Sequence, residues 1–145
     1  MMLTKQKINE QNYELAINIW EESVTATHDF LKQQDKEEIK RNLPFYLKQV
    51  NGNYWLNNNE IIGFSGIDDD KLEMLFLHPN FFKQGLGSKI IQQLINQDQI
   101  KYVDVNKDNT NATKFYLKNG FEQYDESETD GQGNDYPILH LKLNN

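Results

Sequence analysis

The segment that decides the fold is Leu77–Ile90, which reads Leu-His-Pro-Asn-Phe-Phe-Lys-Gln-Gly-Leu-Gly-Ser-Lys-Ile. It starts at the end of an apolar run that Pro79 stops, and it ends inside a run with helical periodicity. Gly85 and Gly87 therefore stand where a strand finishes and a helix begins. The first N–H groups of a helix lack intrahelical partners, and together with the helix dipole they attract anions. The segment predicts either a structural turn or a phosphate-binding loop.

The residues around the two glycines favour phosphate binding. Glycine lets a ligand approach the backbone closely and permits dihedral angles that a side chain forbids. Ser88 adds a hydroxyl donor, and Lys83 and Lys89 add positive charge to an acidic chain. The segment is not a Walker A loop, because no Gly-Lys-Ser/Thr follows, and it lacks the third glycine of the dinucleotide fingerprint.

The sequence before this loop predicts a meander of three antiparallel strands. The predicted strands are Tyr54–Leu56, Glu60–Ile67 and Leu72–His78. The third is apolar enough to lie centrally in a sheet. Asn51–Gly52 is a turn signal in front of the first strand.

The N-terminal part predicts one strand and two helical regions. The strand covers Leu3–Ile8, and apolar residues recur at helical spacing from Tyr13 to about His28. Asp29 is predicted to cap the second helical region. We expect that region to break near Asp35 and to kink or restart at Pro44.

The part after the loop alternates helices and strands. The predicted elements are a helix after Gly87, a strand Lys101–Val105, a helix Thr110–Lys118, and strands Phe121–Tyr124 and Tyr136–Leu143. The complete order is β-α-α-β-β-β-α-β-α-β-β, an α/β fold of the α+β type with a mixed sheet and at least one parallel pairing. The final strand is predicted to be an edge that a partner could cover.

Length and composition narrow the class of protein. The chain of 145 residues is the length of one domain, and we predict a single domain over 1–145. It contains no cysteine, which excludes disulfides, thiolate zinc sites and a cysteine nucleophile. The net charge of −7 argues against nucleic acid as a partner. That acidity indicates either solubility or attraction of a cationic amine substrate.

Other absences give further expectations. No apolar stretch approaches the length of a membrane helix, and the N-terminus lacks the apolar region of a signal peptide. We therefore expect a cytoplasmic protein with no membrane partner. The three histidines, His28, His78 and His140, lack metal-ligand spacing, so no metal is expected.

A second informative segment is Asn106–Phe121, which joins a strand to the next helix. Ala112 is small enough for a ligand to lie against the helix, and Tyr116 follows four residues later on the same face. Tyrosine is a suitable proton donor for a departing thiolate, because it stays neutral at pH 7. Tyr116 is therefore either a general acid or a core aromatic residue.

Together these two segments resemble the GNAT superfamily of N-acetyltransferases, and the resemblance extends over nearly the whole chain. The family's acyl-CoA signature is Arg or Gln, two variable residues, Gly, one variable residue, and Gly or Ala; Phe82–Gly87 occupies it. Phe82 stands where Arg or Gln is usual, at a position that commonly binds pyrophosphate through its main chain, and Lys83 supplies a charge beside it. The front helix and Asp135–Leu139 are similar to a small single-domain bacterial branch.

The resemblance implies a GNAT-like acyl-CoA N-acyltransferase fold with acetyl-CoA as the co-substrate. The donor would lie in the V between the strands Leu72–His78 and Lys101–Val105, and an amine would attack the thioester directly. A backbone N–H near Leu77 would stabilise the oxyanion, and Tyr116 would protonate the CoA thiolate. The implied cofactor-binding residues are Leu75, Phe76, Leu77, Phe82, Lys83, Gln84, Gly85, Leu86, Gly87, Ser88, Asn109, Ala112 and Phe115.

The sequence leaves the general base and the acceptor open. Glu73 is either the base or a salt-bridge partner, and His28 is either the base or a helix C-terminal residue. The expected acceptor wall consists of Trp20, Val24, His28, Phe30 and Leu31 with the loop around 130–136. The acceptor is a small-molecule or peptide amine, and the protein is a monomer or a homodimer.

Three functional classes follow from these features. The first is an acetyl-CoA-dependent N-acetyltransferase, which Tyr116 favours. The second is a non-catalytic acyl-CoA-binding or regulatory module of the same fold, which Phe82 favours. The third is an interaction domain without a CoA site, and Gly85 and Gly87 at the start of a helix argue against it.

Overall fold

The computed structural model describes residues 3–144, so Met1, Met2 and Asn145 of the predicted 1–145 domain lie outside the described residues. The strands are β1 Thr4–Lys7, β2 Asn51–Asn57, β3 Glu60–Asp68, β4 Lys71–Leu77, β5 Tyr102–Asn106, β6 Phe121–Ser127 and β7 Ile138–Leu143. The helices are α1 Tyr13–Thr27, α2 Gln33–Lys48, α3 Leu86–Asp98 and α4 Thr110–Lys118. Short 3-10 turns cover Glu10–Asn12 and Pro79–Phe81. The predicted order of strands and helices is confirmed.

One mixed sheet contains the seven strands of the described residues, in the order β1-β2-β3-β4-β5-β7-β6. The meander β2-β3-β4 is antiparallel, and β4 pairs with β5 in parallel, both as predicted. The α/β fold with a mixed sheet is therefore confirmed. The apolar strand β4 lies at the centre, where neighbours on both sides pair with it.

The prediction that the last strand is an edge was wrong. β7 lies between β5 and β6 and pairs antiparallel with both. Leu139 and Leu141 on β7 are buried, which an interior strand requires. The strand begins at Ile138 rather than Tyr136. The Pro137 carbonyl still accepts a hydrogen bond from the Lys107 N–H at 2.9 Å, but proline has no N–H to continue the pairing. The edge on this side of the sheet is β6, which extends past Tyr124 with exposed polar residues.

The boundaries of the second helix also differ from the prediction. Lys32, not Asp29, occupies the N-cap position of α2, and the helix runs without a break past Asp35. It also continues through Pro44, so the expected restart there was wrong, while a kink at Pro44 stays a prediction. Leu43 and Leu47 bury their side chains on either side of the proline, and this packing holds the helix together despite the missing N–H.

The predicted turn at Asn51–Gly52 is instead the start of β2. Gly52 pairs with Gly66 on β3, and its carbonyl accepts a hydrogen bond from the Ile8 N–H at 3.0 Å. These two partners on neighbouring segments outweigh the local turn preference of an Asn-Gly pair.

The sheet separates two hydrophobic cores. One core packs α3 and α4 against the sheet, with Ile90, Ile91 and Leu94 fully buried. The other packs α1 and α2 against the opposite face, with Trp20 and Phe64 at its centre. The side chains of β4 alternate between the two: Leu75 and Leu77 pack on the first core, and Met74 and Phe76 on the second. This double packing fixes the position of β4.

Gly63 on β3 marks the closest approach of two strands. A Cβ added there would lie 2.4 Å from the Phe76 carbonyl oxygen and 3.0 Å from the Leu77 Cα. We expect Gly63→Ala to lower the free energy of unfolding by about 3 kcal/mol, because the backbone of β4 must move. Gly52→Ala is the matched control, since its Cβ would meet the Ile8 side chain at an ordinary 3.4 Å. Denaturant titration measures both; equal losses would contradict the steric explanation.

Candidate active site

The central feature of the site is the divergence of β4 and β5. Among the described residues their ladder consists of Lys71 with Tyr102 and Leu72 with Val103, and beyond these pairs the strands separate. The register of β3 and β4 shifts so that Glu73 is an extra residue between Leu72 and Met74. A bulge of this kind bends its strand, which directs β4 away from β5. The result is a V that opens toward the C-terminal ends of both strands.

The backbone of β4 presents unpaired groups to this V. The His78 N–H donates to the Ile62 carbonyl on β3 at 2.9 Å, and Leu77 lies opposite Gly63. Successive N–H groups along a strand point in opposite directions, so the N–H and C=O of Leu77 point away from β3, into the V. The same alternation directs the backbone groups of Leu75 into the V and those of Phe76 toward β3.

An ionic bridge closes the narrow end of the V. The Lys71 ammonium lies 2.8 Å from the Asp104 carboxylate on β5 and 3.3 Å from Glu73. Burial opposes the charged form of Lys71, but the hydrogen bonds and charges of Asp104 and Glu73 outweigh it and raise the lysine pKa. Lys71 therefore stays charged and holds the two strands together where their ladder ends.

The loop between β4 and α3 has the geometry expected for an anion site. Gly85 is the N-cap residue of α3 with a φ of 76°, and Lys83 is also left-handed with a φ of 62°. A Cβ on Gly85 would meet nothing within 4 Å, so the space above the first turn of the helix is open. The first N–H groups of α3 face this space, and an anion fits there.

The side chains of the other loop residues serve different purposes. Leu86 is buried in the core, and the Ser88 hydroxyl accepts a hydrogen bond from the Asn119 side chain at 3.3 Å. Phe82 is half-buried, and its N–H donates to the Pro79 carbonyl at 3.1 Å. The Ser88 hydroxyl keeps its own O–H to donate, so the predicted anion contacts of this segment remain its backbone N–H groups, Ser88 and the exposed Lys83 and Lys89.

Gly87 is the point where three segments of the site meet. A Cβ there would lie 3.2 Å from the ring of Phe115 on α4 and 3.7 Å from the Leu77 side chain on β4. The absence of a side chain at Gly87 thus allows α3, α4 and the end of β4 to approach one another. The structure brings the predicted residues Leu77, Gly87 and Phe115 into one place.

Tyr116 lies on α4 beside this junction. Its ring packs edge-on against Phe115 at 5.0 Å and Phe121 at 5.7 Å between centroids, and the residue is 8% exposed. Within residues 3–144 its hydroxyl has no hydrogen-bond partner. Burial raises the pKa of the Tyr116 hydroxyl, so the phenol is fully protonated at neutral pH. A neutral phenol is able to donate a proton.

A contact between His28 and Asn109 joins the first helix to α4. The Asn109 Oδ1 caps α4 by accepting from the Ala112 N–H at 3.1 Å, which leaves its Nδ2 facing His28 Nε2 at 3.3 Å. On the other side of the ring, the Thr27 hydroxyl donates to the Ser23 carbonyl and therefore accepts from His28 Nδ1–H at 2.7 Å. In neutral His28 this pattern places the proton on Nδ1 and the lone pair on Nε2, where the lone pair accepts from the Asn109 amide.

Burial lowers the pKa of His28 below its usual 6.5, and the nearby Asp29 charge opposes this shift without cancelling it. The hydrogen bonds agree with this direction, because a protonated Nε2 would face the amino group of Asn109. His28 is therefore neutral at pH 7 and able to accept a proton.

Two adjoining cavities lie on the α1–α2 side of β4, and they share Trp20, Ile39 and Phe76 as a common wall. The smaller, about 180 Å³, contains His28 and reaches Asn106 at the end of β5. The larger, about 300 Å³, contains Glu73 and Asp68. The two candidate bases therefore occupy neighbouring chambers of one groove.

Most of the predicted acceptor wall is assembled in this groove. Trp20, Val24, His28 and Leu31 line the smaller cavity. Phe30 packs against His28, with their ring centroids 5.1 Å apart. Tyr136 also lines this cavity, as the predicted loop around 130–136 implied.

Sequence reasoning did not anticipate the hydrogen bond between the Tyr136 hydroxyl and Asp35 on α2 at 2.5 Å. The partners are 101 positions apart, and the family-like segment Asp135–Leu139, which contains Tyr136, gives no indication of a contact with Asp35. The feature of the sequence that could have indicated this contact was Tyr136 itself, an aromatic residue just before the last strand.

No group of three or more His, Asp or Glu side chains in residues 3–144 is placed to hold a metal ion, and the absence of a metal stays a prediction. In the same residues, no helix has the length and apolar character needed to cross a membrane.

Comparisons with known proteins define the class. The family model described as an acetyltransferase (GNAT) domain matches residues 50–123, which span β2 to the start of β6. The peptidyl-lysine N-acetyltransferase YjaB of Salmonella typhimurium is 31% identical over 144 residues, with 97% of this chain and 98% of that protein covered. The chain therefore belongs to the GNAT family of acetyltransferases, a class of enzymes.

Solved structures support the same fold. The apo form of YjaB from Escherichia coli superposes with a TM-score of 0.88 at 27% identity and covers 99% of this chain and 98% of that one. The PaiA N-acetyltransferase of Thermoplasma acidophilum, solved in complex with coenzyme A, gives a TM-score of 0.68 at 21% identity and covers 99% of this chain and 100% of that chain. The second likeness concerns the fold alone.

Proposed function

We propose that this enzyme transfers the acetyl group of acetyl-CoA to the side-chain amine of a lysine in a peptide or protein. The observation that carries the proposal is the V between β4 and β5, with the glycine-opened helix α3 beside it. The Salmonella relative, which aligns with 97% of this chain, is named a peptidyl-lysine N-acetyltransferase. That name supports lysine as the acceptor.

The residues present fit the donor. The first N–H groups of α3 and the side chain of Lys83 would hold the pyrophosphate. The inward-facing backbone groups of Leu75 and Leu77 would pair with the pantetheine arm, as a peptide pairs with a sheet edge. Ala112 and Phe115 would pack beside it. Asn109 would bind it through its amide, which requires the present contact with His28 to open.

Bound acetyl-CoA would supply the acetyl group as a thioester. The Leu77 N–H points into the V, so it would donate a hydrogen bond to the carbonyl oxygen as negative charge develops there. Tyr116 would give its hydroxyl proton to the departing sulfur. Its burial keeps the phenol protonated until that step.

Two groups are suited to remove the proton from the acceptor ammonium. His28 is neutral, and its Nε2 lone pair becomes available once the hydrogen bond from Asn109 opens. Glu73 lines the larger chamber next to the bulge. Variants His28→Gln and Glu73→Gln separate them through the pH profile of kcat/KM. The variant that lacks the base loses the limb on which activity rises with pH, and the other variant keeps it.

The test of the proposed function has two stages. Calorimetric titration with acetyl-CoA measures donor binding, and thiol release with lysine peptides and with small amines measures turnover. Binding followed by release with lysine peptides supports the proposal. Binding without turnover on any amine would favour the alternative, a non-catalytic acyl-CoA-binding or regulatory module. No binding would contradict both.

The lowered pKa of His28 also predicts how stability depends on pH. The unfolded chain takes up a proton at His28 near pH 6.5, while the folded protein resists it. The folded state therefore loses stability as the pH falls through about 6.5 toward the lower pKa of His28 in the folded protein. We expect His28→Gln to lose less over this range in denaturant titrations. Parallel losses in the wild type and the variant would contradict the burial effect.

Three remaining expectations are part of this proposal. The chain acts as one domain over 1–145, it works in the cytoplasm, and it is a monomer or a homodimer. Size-exclusion chromatography with light scattering measures the last of these directly.

A further inference from the structure

Tyr136 connects three segments that lie far apart in the sequence. Its hydroxyl donates to the Asp35 carboxylate at 2.5 Å and accepts from the Lys32 N–H at 3.2 Å. Both partners belong to the start of α2, whereas Tyr136 lies just before β7. The residue is 8% exposed, and burial, reinforced by Asp35, raises the pKa of its hydroxyl. It is therefore a neutral donor at physiological pH.

The ring of Tyr136 continues the connection toward the active site. It meets the Phe30 ring edge-on at 6.3 Å, and Phe30 in turn packs against His28 at 5.1 Å. His28 contacts Asn109 at the start of α4. One continuous series of contacts thus runs from α2 through Tyr136 to His28 and to the N-terminus of α4.

The smaller cavity, which contains His28 and Tyr136, has walls from two parts of the chain. One wall comes from α1 and the segment after it, with Trp20, Val24 and Leu31, and the other from the segment before β7, with Asp130 and Tyr136. The hydrogen bonds of Tyr136 join the second wall to the start of α2, and a hydrogen bond from the Gln132 side chain to the Tyr46 hydroxyl joins the same loop to the later part of that helix.

We propose that Tyr136 is a positioning residue for the acceptor, which fixes the distance between the two walls of the His28 chamber. This inference rests on the proposed function, because it takes that chamber as the acceptor site. The direct contacts of Tyr136 do not include the β4–α3 loop, Tyr116 or Gly87, and the series reaches the donor-binding residue Asn109 through Phe30 and His28. Donor binding is therefore predicted to change much less than acceptor binding.

The first experiment tests the connection without relying on activity. Tyr136→Phe keeps the ring and removes the hydroxyl, and Tyr124→Phe makes the same change on an exposed tyrosine of the edge strand β6. Hydrogen exchange followed by mass spectrometry reports on residues 28–36. We expect faster exchange there in Tyr136→Phe, including at the Lys32 amide that loses its acceptor, and no change in Tyr124→Phe. Unchanged exchange in Tyr136→Phe would overturn the inference.

The second experiment tests the consequence for the acceptor. We expect the KM for a lysine peptide to rise about tenfold in Tyr136→Phe, with kcat and the Kd of acetyl-CoA within about twofold of wild type. A general loss of structure would weaken donor binding as well, so this split distinguishes positioning from stability. Faster exchange with an unchanged peptide KM would overturn the inference. A wild-type enzyme that binds acetyl-CoA but never turns over lysine peptides would instead refute the proposed function.

Discussion

Replacing Gly87 with glutamate is expected to weaken acetyl-CoA binding at least about 100-fold in calorimetric titration. The new carboxylate would stand at the start of α3, where the pyrophosphate is proposed to bind, and like charges in contact cost several kcal/mol. The Cβ alone would lie 3.2 Å from the Phe115 ring, so the junction of α3 and α4 must also adjust.

Two control variants separate charge from shape at this position. Gly87→Ala adds the Cβ without the charge, and we expect it to weaken binding by less than about tenfold. Asn96→Glu adds the same charge on an exposed position of the same helix, and we expect binding close to wild type. If Gly87→Glu bound acetyl-CoA as the wild type does, the donor could not occupy this loop.

Removing the hydroxyl of Tyr116 is expected to lower kcat about 100-fold, the scale of a lost general acid. The Kd of acetyl-CoA should stay within about twofold, because the ring of Tyr116→Phe still packs against Phe115 and Phe121. Within residues 3–144 the hydroxyl has no hydrogen-bond partner, so its removal leaves no unpaired group behind.

Tyr102→Phe is the matched comparison for this change. Tyr102 is exposed on β5, and the loss of its hydroxyl should not alter turnover. Steady-state thiol release at saturating donor measures both variants. An unchanged rate in Tyr116→Phe would show that another group, or water, protonates the thiolate.

Local patterns in the sequence were sufficient for the order of elements and for the turn that opens α3. Apolar spacing of 3.6 in α1, α3 and α4, and a run apolar on both faces in β4, depend on residues within one element. The glycines at 85 and 87 likewise report a local event, the start of a helix. These features were predicted correctly because each is decided by its own neighbours.

Contacts between distant segments were not predictable in this way. β7 lies between β5 and β6 because it pairs with both of them. No pattern within one element indicates which distant strands will pair with it. The start of α2 at Gln33 depends in part on Tyr136, whose hydroxyl satisfies the Lys32 N–H. Pro44 stays inside α2 because Leu43 and Leu47 pack on the sheet, a tertiary gain that outweighs a local cost.

The candidate site also combines local features with contacts between distant segments. Asn109 was expected to face the donor, yet in this structure its amide also caps α4 and contacts His28, 81 positions earlier. The neutral state of His28 follows from its burial, and its tautomer follows from that contact and from Thr27, whereas the sequence alone left its role open.

The strand order also has a consequence for synthesis on the ribosome. About 30 residues separate β5 from β7, its antiparallel neighbour, and at typical translation speeds they take roughly 2 to 6 seconds to make. During that interval β5 has one edge without a partner, and β6 emerges with no strand to pair with. The nascent chain therefore passes through a stage with two unpaired strand edges, and the arrival of one segment, Ile138–Leu143, satisfies both at once.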